Sequence, residues 1–203
     1  MMNRMALLIP RRALAARLAL AALACSVAAF AQETVLQFDA ARTKVEFTLE
    51  DVLHTVHGSF ALKRGDIRFD AAGNASGELV VDAASGQSGS AARDHRMHSL
   101  VLESARYPEI VLRPEHVEGK VAIEGPSQVV LHGTFAIHGQ THDITVPLEV
   151  EETGGDFTAS GSFPVPYVKW GMKNPSTLFL RVNPTVLITI HAIARPVAAT
   201  AQR

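Results

Sequence analysis

The stretch Val45-Glu46-Phe47-Thr48-Leu49-Glu50 alternates an apolar with a polar residue at every step. That period of two suits an extended strand with one face buried, and it rules out a helix, whose faces repeat every 3.6 residues. The same rule governs Ile67 to Phe69, Glu78 to Val81, Ile110 to Leu112, Val129 to Ile137, Ile144 to Val150, Phe157 to Val165 and Val186 to Ile193. Between these runs stand turn-forming pairs and clusters: Gly65-Asp66, Ala72-Gly73-Asn74, Gly125-Pro126, Gly139-Gln140, Gly154-Gly155 and Asn183-Pro184. The spacing predicts consecutive hairpins and therefore an all-β, mostly antiparallel sheet.

One hairpin can be given a register. With Gly139-Gln140 as a two-residue turn, glycine at its first central position as a type II′ turn prefers, paired residue numbers sum to 279. Phe135 then faces Ile144, Gly133 faces Val146, Leu131 faces Leu148 and Val129 faces Val150, all on one side, with Thr134, Thr145, Val130 and Glu149 on the other. A slip of one residue would turn hydroxyls and charge inward, so the faces are well specified.

Ala91 to Ala105 interrupts the strand rhythm. Met97, Leu100, Val101 and Ser104 recur at helical spacing, Arg93 and Arg96 are expected on the opposite side, and Pro108 stops the run. A short helical segment over about 91–105 is expected, lying against an end or flank of the sheet structure.

The first 31 residues have a different character. Arg4, Arg11, Arg12 and Arg17 precede an uncharged run from Leu18 to Ala31, too short for a spanning helix, with small residues at Ala29 and Ala31. This reads as a cleavable secretory signal peptide over 1–31, followed by one domain over 32–203 with a frayed Ala-rich tail, and it implies a periplasmic location. Cys25 is the only cysteine, so the exported domain has no internal disulfide; Leu23-Ala24-Cys25 also loosely resembles a lipoprotein cleavage box, which would make Cys25 an acylated anchor. Loss of the leader removes four Arg and no acid, leaving 15 basic against 20 acidic residues and a net charge of about −5. No nucleic-acid partner is expected of such a surface.

Roughly eight to ten strands of this length can close into a barrel or stack as a sandwich, and alternation alone serves both. Small residues such as Gly58 and Gly133 on the inward face favour a barrel with room inside for a ligand.

An ordered series of motifs adds to this. Phe38-Asp39, Thr43 to Phe47, His57-Gly58-Ser59-Phe60, Gly65 to Asp70, Arg93-Asp94-His95, Tyr107-Pro108-Glu109-Ile110 and His132 to Pro147 resemble, in order, the YceI family, over about residues 36–194. The resemblance implies an eight-stranded antiparallel lipocalin-like β-barrel with a small helical segment, binding a polyisoprenoid-type lipid in the periplasm. Two segments depart from the family: Ala84 to Gly89, and His95 to Leu102, where members carry a hydrophobic residue two after the aspartate and a later Phe-Phe.

The expected cargo is an isoprenoid or isoprenoid quinone, carried without being transformed. Its expected contacts are Val45, Phe47, Phe60, Phe135, Ile144, Val146, Leu148 and Phe163, with Tyr167 and Trp170 as amphipathic groups at the mouth. No catalytic residue, metal or other cofactor is assigned. Nine histidines keep a second reading open, a metal- or histidine-dependent periplasmic enzyme, with the pairs His54/His57 and His95/His98 as its best ligands. Against it stands the absence of a His-Glu-x-x-His motif and of a Gly-x-Ser-x-Gly nucleophile turn. The Arg93-Asp94 pair reads as a structural pin for the helix or as a headgroup contact. A third reading is a ligand-free stress-response module with a lumen closed by side chains. Transient membrane contact and a homodimer are compatible with all three.

Overall fold

The computed structural model describes residues 33–50, 54–122, 125–177 and 181–197. These fall in one compact unit, Gln32–Arg203; the expected leader, its Cys25 and the Ala-rich tail lie outside the described residues.

Ten strand segments form one antiparallel sheet: β1 (Thr34–Phe38), β2 (Lys44–Glu50), β3 (Thr55–Phe60), β4 (Leu62–Phe69), β5 (Ala75–Asp82), β6 (Glu109–Glu118), β7 (Ser127–Ile137), β8 (Gln140–Thr153), β9 (Asp156–Val165) and β10 (Val186–Val197). They amount to eight barrel strands, because β1 with β2 and β3 with β4 are each one strand interrupted by a bend. β1 pairs with β4 and β2 with β3, so the two bent strands run side by side along their whole length. The ring then continues through β5 to β10, and β10 closes it by pairing with β2 over Leu187–His191 and with β1 over Ala194–Val197.

Both bends are stitched locally. At the first, the Asp39 carboxylate accepts from the Ala41 and Arg42 amides at 3.0 and 3.1 Å, and Thr43 Oγ1 accepts from the Ile193 amide at 3.2 Å. At the second, the Ala61 amide donates to Ser85 Oγ at 2.8 Å and its carbonyl accepts from the Asp82 amide at 3.0 Å.

Two sequence expectations are corrected. Gly65-Asp66 is not a turn: it lies within β4, paired with Leu79 and Glu78, after a bulge between Leu62 and Arg64. Gly65 continues a strand because Leu79 and Phe38 pack against its open side, where a side chain would crowd them. In the β7–β8 hairpin the turn is His138-Gly139, with φ of 52° and 73°, and pairs sum to 277: Leu131 faces Val146, Gly133 faces Ile144 and Phe135 faces His142. A slip of two residues keeps every side chain on its expected face, so hydrophobic patterning could not choose between the registers. Turn chemistry chose. A type I′ turn needs positive φ at both central residues, which Gly accepts freely and His tolerates better than most, whereas Gln140 belongs to the strand. His138 is a turn residue, and its ring packs on Tyr107, centroids 4.6 Å apart.

The helical segment is α1 (Ala91–Arg96), continued by a single π turn over Met97–Val101 in which the Leu102 amide reaches the Met97 carbonyl at 2.8 Å. Among the described residues no helix is long and apolar enough to cross a membrane.

The turn account makes a stability prediction. Gly139→Ala places a side chain at φ 73° and 2.6 Å from Tyr107 Cε1, and urea unfolding is expected to show a loss of about 1–3 kcal/mol. An unchanged midpoint would contradict it.

Candidate functional site

The barrel has two unlike halves. Toward the Gly154-Gly155 end, Val129, Leu131, Val146, Ala192 and Ala194 are buried and fill the interior. Toward the other end lies an apolar cavity of about 1240 Å³, counting the part open to solvent. Its wall takes alternate residues from the strand ends that converge there: Val45, Phe47 and Leu49 from β2, Val56 and Phe60 from β3, Leu79 and Val81 from β5, Ile110 and Leu112 from β6, Phe135 and Ile137 from β7, Phe163 and Val165 from β9, and Val186, Ile188 and Ile190 from β10. The wall spans four residue steps in β2 and four in β10, roughly 13 Å along a strand. The lumen is a cup, not a tunnel.

Several wall residues, among them Leu49, Phe60, Ile188 and Ile190, are half-buried although they point inward. Inward residues retain exposure only where the space before them is unfilled. Phe47 owes its position to Gly58 opposite it, since a side chain there would collide with the Phe47 ring and with the Gln87 carbonyl. Phe47 packs on Phe60 with centroids 5.4 Å apart, and Phe135 meets Phe163 edge-on at the same distance.

The mouth is formed by α1 and its π turn, which contribute Arg93, Arg96, Met97 and Val101, together with Ser88 and the β9–β10 loop residues Tyr167, Met172 and Pro175. Arg93 and Arg96 were expected opposite the apolar side of the helix. The structure corrects this: Arg93 precedes Met97 by one helical turn, so the two share a face, and Arg96 flanks it.

A polar knot fixes this segment. The Asp94 carboxylate accepts from the Ser88 amide at 2.8 Å and from its hydroxyl, while Arg93 donates from Nε to Ser88 Oγ at 2.9 Å and from Nη2 to the Ser88 carbonyl at 2.7 Å. Arg93 and Asp94 therefore act on Ser88 together. The hydrogen bonds from Ser88, reinforced by the nearby Arg93 charge, hold the Asp94 carboxyl below its ordinary value of 3.8. Further along, His98 Nε2 lies 2.9 Å from the Gly86 carbonyl and its Nδ1 lies 3.3 Å from Ser104 Oγ, so both ring nitrogens serve the loop.

Of the ten expected contact residues, Val45, Phe47, Phe60, Phe135, Phe163 and Tyr167 line the cavity. Ile144, Val146, Leu148 and Trp170 belong to the surrounding core and are not among the lining residues. Val146 and Leu148 pair with Leu131 and Val129 in the filled half. Trp170 stacks on His142, centroids 4.1 Å apart and planes at 4°, covering the start of β8. Tyr167 presents its ring to the cavity, but its hydroxyl donates to the Asn183 carbonyl at 2.9 Å; burial raises that hydroxyl's pKa to about 12. The polar groups at the mouth that sequence reasoning missed are Ser88 and Arg96; the three-residue spacing of Arg96 from Arg93, itself one turn before Met97, was the signal that could have found Arg96.

The expected histidine pairs do not assemble a metal centre. His57 Nδ1 contacts Thr48 Oγ1 at 3.2 Å, His98 is used as described, and among the described residues no group of three or more His, Cys, Asp or Glu could hold a metal ion.

Comparison with known proteins agrees with this geometry. The profile of the YceI-like domain matches residues 36–194. A polyisoprenoid-binding domain from Saccharophagus degradans, implicated in plant cell wall breakdown, superposes with a TM-score of 0.64 at 15% identity, covering 80% of this chain and 98% of its own. BcnA of Burkholderia cenocepacia gives 0.63 at 19% identity, with 77% and 98% covered. The YCEI protein of Campylobacter jejuni gives 0.50 at 16% identity, with 70% and 81% covered. No curated protein matches the chain.

The knot predicts a pH dependence. Because the folded-state value of Asp94 is depressed, its contribution to stability is present above its unfolded value near 3.8 and is lost as pH falls through the folded value. In urea unfolding series, wild type is expected to exceed Asp94→Asn in stability at pH 6, with the gap closing as the solution is acidified below pH 3.8. A gap that stays constant across this range would contradict the assignment.

Proposed function

The chain belongs to the YceI-like family, and from that premise we propose that it is a periplasmic carrier which holds the apolar part of a lipid in the cup, without chemical transformation. A polyisoprenoid or isoprenoid quinone is the cargo class favoured by the name of the Saccharophagus neighbour and by the family. The observation that carries the reading is the unfilled half of the barrel: apolar walls on every side, with polar groups confined to one end.

The energetics agree. Each methylene moved from water onto such a wall is worth about 0.8 kcal/mol, so a tail of a few isoprene units supplies ample gross affinity. Ordering of the chain and loss of its free motion offset several kcal/mol of this. With a wall about 13 Å deep, a tail of many isoprene units must fold back on itself or emerge past Met97 and Pro175. The amino-terminal leader read in the sequence supports export, and the family supports a periplasmic site of action. Transient docking at a membrane would then let cargo enter through the mouth. The convergent nucleophile, base and orienting group that an enzyme needs are not found among the lining residues, whose polar members are Ser88, Arg93, Arg96 and Tyr167.

Native mass spectrometry of the protein purified from the periplasm, followed by solvent extraction, tests the proposal. The expected result is an added mass that extracts as a prenyl lipid. Ile188→Trp, which fills the cup from a half-buried wall position, is expected to reduce occupancy at least about tenfold with the circular dichroism spectrum unchanged. A strictly unliganded mass that stays so after incubation with polyprenols would overturn it.

A further inference from the structure

We propose that Arg96 selects the headgroup, and that the cup takes amphiphiles whose head is an anion, a phosphate or a carboxylate, in preference to neutral ones. The inference rests on the carrier reading and adds to it the chemistry of the polar end.

Four residues with polar side chains border the cavity, almost wholly through their carbon atoms, and three have their polar atoms committed elsewhere. The Tyr167 hydroxyl donates to the Asn183 carbonyl, Ser88 Oγ is held between Asp94 and Arg93, and Arg93 spends Nε and Nη2 on Ser88. Arg96 differs. It borders the cavity beside Met97 and Ser88, and among the described residues its guanidinium has no hydrogen bond or ion pair. Of the carboxylates near it in sequence, Asp94 accepts from Ser88, and Glu103 faces His138 Nε2 at 3.6 Å.

The neighbouring cation sharpens the preference. Arg93, three residues earlier on the same short helix, also borders the cavity, and its Nη1 remains unused by the knot. Two guanidinium groups at one rim, one anchored and one free, present only donors to whatever stands there. A guanidinium stays charged at every physiological pH and offers paired N–H groups that match two oxygens of a carboxylate or phosphate. An alcohol or quinone carbonyl meets the same donors without the charge. With the tail drawn into an apolar cup, the head of the ligand is delivered to this rim.

The test uses ligands that share one tail. Farnesyl monophosphate, farnesoate and farnesol are titrated at low ionic strength into the delipidated protein. The readout is the fluorescence of Trp170, the chain's single tryptophan, which lies 6.1 Å from the cavity residue Phe135. Farnesyl monophosphate and farnesoate are expected to bind at least about tenfold more tightly than farnesol. Arg96→Gln should bring this ratio down to about threefold or less without weakening farnesol, and Arg96→Lys should restore part of it. Inorganic phosphate alone should not compete at concentrations where the farnesyl compounds saturate; equal competition would mean a free-anion site and would overturn the proposal. Equal affinity for farnesol and its phosphate in the wild type would also overturn it, as would an Arg96→Gln variant that weakens all three ligands alike, and either result leaves the carrier reading standing. Failure of all three to bind would overturn both.

Discussion

Closure of the sheet by β10 is the interaction on which the cavity depends. β10 pairs with β9 along one edge and, along the other, first with β2 and then with β1. Without the second edge the molecule would be an open, twisted sheet with two unpaired strands, its inward residues exposed sideways, and a template for aggregation. The price of closure is a bend in the first strand. Asp39 and Thr43 meet it with side-chain hydrogen bonds, the Asp39 amide reaches Ile193 at 2.8 Å, and Arg42 and Arg195 both grip Asp156 on the outside. These exposed ion pairs contribute little singly; the backbone ladder does most of the joining.

A closed eight-stranded ring can be filled by side chains or left hollow, and this chain does both at different depths. The filled half around Leu131 and Val146 supplies the cohesion of a core beside the hollow half. The hollow half is capped by a short helix that carries apolar Met97 and Val101 inward and guanidinium groups at the rim. The single π turn, one residue wider than an α turn, follows directly on the polar knot at Ser88, a position where such turns often mark function. Shape and burial thus define one axis, from the filled half to the helix at the mouth.

Much of this was legible in the sequence because a period of two is a strict code. It assigned the inward faces of β2, β7, β8, β9 and β10, and motif order supplied the eight-stranded ring. β1 and β3 escaped notice because Thr34 to Phe38 is short and because His57 and Gly58 blur the alternation of Thr55 to Phe60. Alternation identifies a face but carries no information about depth, which is why Val146 and Leu148 read the same as Ile188 and Ile190 while only the latter pair lines the cavity. The two-residue register shift at His138-Gly139 has the same origin, for both registers satisfy the pattern and only backbone torsion separates them. Arg96 was obscured by treating the helix as amphipathic about Met97, a phase its one-turn relation to Arg93 contradicts.

The central claim is that the hollow half of the barrel receives an apolar tail. A crystal structure of the protein with an amphiphile brominated at the far end of a C15 tail tests it most directly. The account predicts one anomalous peak deep in the cup, against Phe135, Phe163 and Ile190, with the head at the helix rim. A peak on the outer wall, or no peak and a lumen refilled by its own side chains, would contradict it.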